Sequence, residues 1–119
     1  MGDRLDHIFE LQHRFNSDLE RRRGLEFDQS TWVQKEILAI LSELGELLDE
    51  VNFKWWKNPK PLDHDAIREE LVDILHFFVS ICLKVDVSPE DLYQTYLKKN
   101  EENFRRQNGL SEKKGYEAP

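Results

Sequence analysis

The stretch from Leu71 to Leu83 constrains the fold more than any other part of the sequence. Its thirteen residues are apolar apart from Asp73, His76 and Ser80. A helix that is apolar on nearly all sides has to be covered by its neighbours. The pattern around this stretch predicts a helix over about 66–85, buried at the centre of a helical bundle.

Two further segments with helical periodicity precede it. The first, over about 3–23, ends where three arginines are followed by a glycine, which suits a helix C-terminus. The second starts at Ser30 or Thr31, because Thr31 and Gln34 fit a capping box, and continues to about Phe53. No segment has the strict alternation that is typical of a strand.

A fourth helix opens at Ser88, a favourable N-cap, with Pro89 in its first turn. A loop is expected over 57–65, which holds two prolines. The sequence therefore predicts an all-α fold with a four-helix core. We expect one domain over residues 1–108, followed by a polar C-terminal tail over 109–119.

Composition excludes several classes of protein. The net charge of -7 argues against a partner with a nucleic acid backbone, since such proteins need clustered positive charge. Cys82 is the single cysteine, so no intrachain disulfide can form, and its apolar neighbours predict a buried thiol. Without a secretory signal or a membrane-spanning run, a soluble cytoplasmic protein without a membrane partner is expected.

Two pairs of carboxylates stand out from this background. Glu43 and Glu46 are neighbours on one face of the second helix, and Glu70 and Asp73 begin the polar seam of the third. Ionised carboxylates removed from water are costly unless they are paired or bound to a metal. Magnesium is the expected cation because it prefers hard oxygen ligands. The alternative is a set of salt bridges with nearby lysines and arginines.

The motif of these acids resembles a known pattern. Glu43-Leu44-Gly45-Glu46 and Glu70-Leu71-Val72-Asp73 are similar to the paired motif of the all-α nucleoside triphosphate pyrophosphohydrolases, which include the MazG-related proteins and the dimeric dUTPases. The likeness extends to Leu11-Gln12, Asn16, Phe53-Lys54-Trp55-Trp56-Lys57, His76-Phe77, Tyr96, Lys99-Asn100, Asn103 and Arg106-Gln107. These additional residues look more like the dUTPase branch.

The resemblance implies a MazG-like fold and hydrolysis of a nucleoside triphosphate between its α and β phosphates. Glu43, Glu46, Glu70 and Asp73 would bind Mg²⁺, with Mn²⁺ as a substitute. Glu43 or Glu46 would also orient or deprotonate the attacking water. Such an enzyme would remove unwanted nucleotides from the pool.

The resemblance also implies how the rest of the substrate would bind. Four basic residues are candidates for the phosphates: Lys54, Lys57, Lys99 and Arg106. Eight others are candidates for the base and sugar: Gln12, Asn16, Trp32, Trp56, His76, Phe77, Asn100 and Asn103. For the basic cluster the alternative is a solvated face, and for the tryptophans it is a subunit interface. Among substrates dUTP is favoured, while dCTP or a modified nucleotide stays open.

The chain is short for a dimeric dUTPase, so the resemblance implies that a second subunit completes the pocket. A homodimer or a homotetramer is expected, and it would also cover the remaining apolar surface.

Three other hypotheses for the function make different predictions. A ferritin-like di-metal bundle needs Glu-x-x-His on two helices, whereas this chain has only Asp73 and His76 at that spacing. An HD-type phosphohydrolase would use His64 and Asp65, which lack suitably placed histidine partners. A non-enzymatic helical adaptor would keep its function without the acids of the third helix.

Overall fold

The computed structural model describes residues 2–119, and every regular element in that range is an α-helix. Met1, with which the expected domain begins, lies outside the described residues. The helices are α1 (Arg4–Arg23), α2 (Gln29–Glu50), α3 (His64–Lys84) and α4 (Pro89–Gln107). The predicted all-α class and the four helices are thus confirmed. No helix of this described range is long and apolar enough to cross a bilayer.

The ends of α1 and α4 follow from local chemistry that the sequence makes visible. Asp3 caps α1, and Gly24 ends it in the left-handed conformation, with φ of 61°. Ser88 caps α4 through a capping box with Asp91, and Pro89 occupies the first turn. Both helices therefore begin and end close to their predicted positions.

The start of α2 differs from the prediction. Asp28 is its N-cap, and the Asp28 carboxylate accepts a hydrogen bond of 2.8 Å from the backbone N–H of Thr31. Thr31 is therefore inside the first turn, and its predicted capping role was wrong. The N–H that Asp28 satisfies is that of Thr31, one of the orphan donors of the first turn.

The connection between α2 and α3 is tighter than expected. Asn52 adopts φ of 59°, and its side-chain amide bonds both the N–H and the carbonyl of Lys60, at 3.0 and 2.9 Å. α2 ends at Glu50, before this turn, rather than at Phe53. α3 begins at His64 because Asp63 caps it.

The chain forms two compact units, of which the first ends at Asp86. In this first unit α3 packs against both α1 and α2. Val79 and Ser80 of α3 are its most deeply buried side chains, at 1% and 2% exposure. The central position predicted for α3 is therefore confirmed within this unit.

Burial within the first unit is nevertheless incomplete. In the described part of the chain only Phe9, Val79 and Cys82 are fully buried apolar side chains. One side of α3 leaves four large apolar side chains exposed: Leu71, Val72, Leu75 and Phe78. The predicted burial of α3 on all sides is not achieved within a single chain.

The second unit, Val87–Pro119, contains α4 and the residues after it. The Leu110 N–H donates to the carbonyl of Arg105 at 2.8 Å. The buried Ser111 donates its hydroxyl to Glu102. Tyr116 lies 5.2 Å from the Arg106 guanidinium. The residues expected to form a separate tail thus contact the helix that precedes them.

Candidate active site

The candidate site lies on the side of α2 that packs against α3. Glu36 is buried on this face, and Ile40, Glu43, Leu47 and Glu50 are half-buried at the same helical spacing. Since α2 and α3 pack closely, the carboxylates of this face are carried into the contact between the helices. The packing of two helices therefore places acids where water is scarce.

Three carboxylates meet at this contact. Oxygens of Glu43, Glu46 and Glu70 all lie within 4.8 Å of one another. The Oε2 atoms of Glu43 and Glu70 are buried without a hydrogen-bond partner. Two of the acids come from α2 and one from α3, as the spacing of the two motifs predicts. No basic side chain within the described residues forms an ion pair with any of the three.

The proximity of these acids changes their proton affinities. Desolvation raises the pKa of Glu70 to about 7, and the neighbouring Glu46 and Glu43 add to the rise. Desolvation also raises the pKa of Glu43, with further contributions from Glu46 and Asp73. Carboxylates that repel each other in a desolvated site favour either protons or a cation.

Asp73 lies one turn after Glu70 on α3 and is half-buried. It lies outside the group of three, although its charge acts on Glu43. Asp73 and Glu43 both line the pocket described next. The pocket is therefore bordered by one acid of the cluster, Glu43, and by Asp73.

A pocket of about 510 Å³ lies between α1, α2 and α3. This volume falls in the range of small-molecule sites. Trp32 and Phe77 supply aromatic surface, while Gln12, Asn16 and Glu36 supply polar groups. Because Glu43 and Asp73 line it too, a ligand in this pocket could extend to the acids.

Polar side chains from all three helices form a continuous chain of hydrogen bonds along the pocket. His76 Nδ1 lies 2.6 Å from Gln12 Oε1, and Gln12 Nε2 donates to Asn16 Oδ1 at 2.9 Å. Asn16 Nδ2 donates to Ser80 Oγ at 2.9 Å, and Ser80 donates to Glu36. The structure thus joins Gln12, Asn16 and His76, three of the residues predicted to contact the base and sugar, in one hydrogen-bonded chain.

The lysines proposed for the phosphates lie in two places. Lys54 and Lys57 follow α2 and line one groove, where Lys54 is 3.4 Å from Asp49. Lys99 lies in the second unit and shares a groove with Asn100 and Asn103. Their assignment to phosphates, base and sugar stays a prediction.

Two proposed residues are engaged elsewhere. Arg106 pairs with Glu102 at 3.3 Å and lies against Tyr116. Trp56 is 59% exposed in the loop after α2, where it meets Trp55 edge to face at 4.6 Å. The aromatic rings that line the pocket include those of Phe15, Trp32 and Phe77. The roles predicted for Arg106 and Trp56 gain no support from these contacts.

Glu36 is a polar residue of the pocket lining that was not among the predicted site residues. It precedes Glu43 by seven residues, which places it on the same helix face two turns earlier. Its hydrogen-bond partner Ser80 ends the polar seam of α3. The spacing was a usable signal, but an acid at that position resembles an exposed one until the burial is known.

The ligand atoms of the cluster are carboxylate oxygens of three glutamates. Carboxylate oxygens are hard ligands of the kind that Mg²⁺ and Mn²⁺ accept. Two of the converging glutamates have buried oxygens without a partner, and such atoms are costly unless something satisfies them. The residues present therefore fit a divalent cation at Glu43, Glu46 and Glu70.

An all-helical unit with paired carboxylates beside a pocket of nucleoside size defines a class of nucleotide-processing proteins, and comparison with known proteins identifies the family. A family model described as dUTPase matches residues 4–90, which include α1, α2 and α3. The chain therefore belongs to the dUTPase family of all-α nucleoside triphosphate pyrophosphohydrolases.

Two curated relatives are similar in sequence. The dCTP pyrophosphatase of Enterobacteria phage LZ5 is 32% identical over 74 residues, which are 62% of this chain and 43% of that protein. The dCTP pyrophosphatase of Enterobacteria phage T4 is 29% identical over 97 residues, covering 67% of this chain and 57% of that protein. The chain thus spans about half the length of the curated relatives it matches. No solved structure matches it significantly.

Proposed function

We propose that this chain hydrolyses a pyrimidine deoxynucleoside triphosphate, dUTP or dCTP, to the monophosphate and pyrophosphate in a magnesium-dependent reaction. The convergence of Glu43, Glu46 and Glu70 beside a pocket of nucleoside size carries the proposal. The family description supports dUTP, and the names of the two phage relatives support dCTP.

Glu43, Glu46, Glu70 and Asp73 would hold the magnesium. When bound, Mg²⁺ supplies positive charge for the phosphate oxygens and acidifies water. Asp73 and Glu43 line the pocket. The triphosphate of a nucleoside bound in the pocket could therefore reach the acids that hold the cation. Because the acids are negatively charged, a cation between them and the triphosphate would reduce their mutual repulsion.

Glu43 or Glu46 would orient the attacking water and accept its proton. The water oxygen joins one of the two phosphorus atoms of the α–β linkage, and the bridging P–O bond breaks. The bonding electron pair stays on the bridging oxygen, which leaves as part of pyrophosphate after attack at the α phosphorus or as part of the nucleoside monophosphate after attack at the β phosphorus. The proton taken from the water passes from the carboxylate to solvent. Because a bound cation acidifies the water, the carboxylate that accepts its proton needs only modest basicity.

The nucleoside would occupy the pocket between α1, α2 and α3. Trp32 and Phe77 offer surfaces against which a base or a sugar can pack. Lys54 and Lys57 are the candidates for the outer phosphates in the first unit, and Lys99 is the candidate in the second. Each of these three lysines lines a groove.

Replacing two acids of α3 tests the proposal. The Glu70→Gln and Asp73→Asn double variant should lose at least about a hundredfold in pyrophosphate release from dUTP and dCTP, because it removes cation ligands. Its thermal unfolding without magnesium should stay at or above that of the wild type, since mutual repulsion is relieved.

Glu69→Gln is the matched control, because this exposed neighbour undergoes the same chemical change on the same helix. It should retain wild-type turnover. A double variant with full activity, or a wild type that cleaves no nucleoside triphosphate in Mg²⁺ or Mn²⁺, would contradict the proposal and favour a helical adaptor.

We also propose that a second copy of the chain covers the exposed apolar surface, giving a homodimer or a homotetramer. The α2 stripe Ile37, Leu41, Leu44, Leu48 and Val51 is exposed along its whole length. Exposed apolar patches of this kind mark interaction surfaces. With so few apolar side chains fully buried in one chain, self-association would supply the missing burial.

A further inference from the structure

Glu36 is a buried carboxylate that the proposed hydrolysis does not use. Its side chain is 8% exposed and lines the pocket. On α2 it precedes Glu43 by seven residues, about two helical turns. Ser80 donates a hydrogen bond to Oε1, whereas Oε2 is buried and has no hydrogen-bond partner among the residues that the structure describes. A buried acceptor without a hydrogen bond destabilises the folded protein. A bound ligand that donates a hydrogen bond to Oε2 would remove this cost.

The hydrogen-bond chain that ends at Glu36 fixes the direction of every donor in it. An ionised carboxylate only accepts, so the Ser80 hydroxyl must donate to Glu36. Ser80 then accepts from the Asn16 amide N–H, and Asn16 accepts from the Gln12 amide N–H. Gln12 is left to accept from His76 Nδ1, which therefore carries a proton.

The direction of these hydrogen bonds determines which polar atoms of the pocket remain available to a ligand. Each of the two amides, Gln12 and Asn16, uses one of its two N–H donors within the chain and retains one for a ligand. Glu36 contributes an acceptor. The pocket therefore offers one carboxylate acceptor together with amide donors.

This pattern distinguishes the two candidate pyrimidines. Cytosine carries an exocyclic amino group, a donor, at the ring position where uracil carries a carbonyl oxygen. A carboxylate accepts from the amino group of cytosine, whereas it repels the carbonyl oxygen of uracil. The amide donors suit the carbonyl oxygen that both bases share.

We propose that Glu36 is the specificity-determining residue of the pocket and selects cytosine over uracil by accepting a hydrogen bond from the exocyclic amino group. This inference rests on the proposed function and narrows its substrate to dCTP. Glu36 contacts the base and takes no part in the bond-breaking step.

Two neighbours of Glu36 counteract the effect of its burial. Burial raises the pKa of Glu36, and the charge of Glu20 adds to the rise, whereas the Ser80 hydrogen bond and the positive charge of Lys84 act against it. Lys84 lies 2.7 Å from Glu20 and 4.0 Å above the Trp32 ring. A ligand that donates a hydrogen bond to Glu36 would further favour the ionised carboxylate.

The Glu36→Gln variant tests the proposal by changing one atom. The glutamine carbonyl can still accept from Ser80, while its amino group replaces the free acceptor by a donor. The wild type should have a higher kcat/KM for dCTP than for dUTP. In Glu36→Gln this ratio should fall by roughly ten- to a hundredfold, because one good base contact is worth about that much. Glu26→Gln, the same change at an exposed residue of the α1–α2 loop, should keep the wild-type ratio.

A ligand-side experiment separates this inference from the hydrolysis itself. Binding of dCMP, of dUMP and of the monophosphate of a 2-pyrimidinone deoxyribonucleoside, which lacks the amino group, is measured calorimetrically on the wild type. Tighter binding of dCMP than of both others, by about tenfold or more, supports the role of Glu36 whether or not triphosphates are cleaved. Equal binding of the three, a wild-type preference for uracil, or an unchanged ratio in Glu36→Gln would overturn it.

Discussion

At the scale of single residues, the distinguishing feature is a set of acids that lie together and form no ion pair with a basic side chain within residues 2–119. Glu43, Glu46 and Glu70 approach within 4.8 Å, and two of them have buried oxygens without hydrogen bonds. Such an arrangement opposes folding unless protons or a cation neutralise part of its charge. A bound divalent cation would reduce the repulsion among these carboxylates and could bind the phosphates of the substrate. The same acids would then affect both the stability and the activity of the protein.

The metal-free protein should lose stability as the pH rises from about 4.5 to about 7. The pKa of Glu70 is about 7 in the folded chain and 4.5 is its ordinary value, so in this window the folded state holds more protons than the unfolded state. The free energy of unfolding then falls with increasing pH and levels off above the folded pKa. Urea denaturation in the presence of a chelator, at pH 4.5 to 8, measures this slope.

Glu70→Gln isolates the contribution of this residue to that slope. The variant should be less dependent on pH than the wild type between pH 4.5 and 7, and magnesium should stabilise the wild type most at the upper end of the range. A metal-free wild type whose stability rises through this window more than that of Glu70→Gln would contradict the electrostatic account.

Residue types and spacing were enough to select part of the site. Glu43, Glu46 and Glu70 follow from two three-residue spacings and from a polar seam in an apolar helix. Glu36 could not be chosen in the same way, because its importance comes from burial and from the contact with Ser80, 44 residues away. Long-range contacts of this kind are set by how α1 and α2 pack on α3, which periodicity does not specify.

At the scale of elements, α2 carries two faces that compete for burial. The apolar stripe Ile37, Leu41, Leu44, Leu48 and Val51 has the spacing that predicts a core-facing helix. In the chain it is the neighbouring, acid-bearing face that packs on α3, while the stripe is exposed. Hydrophobicity alone favours the stripe, so the sequence predicted the helix but could not assign its faces.

Asp28→Ala should destabilise α2, because the aspartate satisfies the orphan N–H of Thr31 at the N-terminus. The expected loss in the free energy of unfolding is about 1 kcal/mol. Ser30→Ala, an exposed change within the first turn, should cost less than about 0.5 kcal/mol. Chemical denaturation of the two variants measures both values, and an equal loss in the two would argue against Asp28 as the cap.

At the scale of the whole molecule, the chain leaves more apolar surface exposed than a helical protein of this size normally tolerates. Exposed side chains lie on α2 and on the far side of α3, which the sequence marked as apolar nearly all round. That pattern agrees with the sequence-based expectation of an oligomer, since a helix of this composition has to be covered by something.

Leu41→Glu should weaken self-association at least roughly tenfold, because it places a charge in the exposed α2 stripe that a second copy would bury. Ser42→Glu adds the same charge on a different side of α2, away from the stripe, and should leave the assembly intact. Sedimentation equilibrium at several protein concentrations compares the two. A monomeric wild type at all concentrations would rule out the assembly.

Product analysis by ³¹P NMR tests the central claim most directly. The wild type is incubated with dCTP, and separately with dUTP, in Mg²⁺, and the phosphorus signals are followed over time. Cleavage between the α and β phosphates predicts that the deoxynucleoside monophosphate and pyrophosphate appear in equal amounts, with no diphosphate intermediate. Appearance of the diphosphate with inorganic phosphate, or an unchanged triphosphate with both nucleotides, would contradict the account.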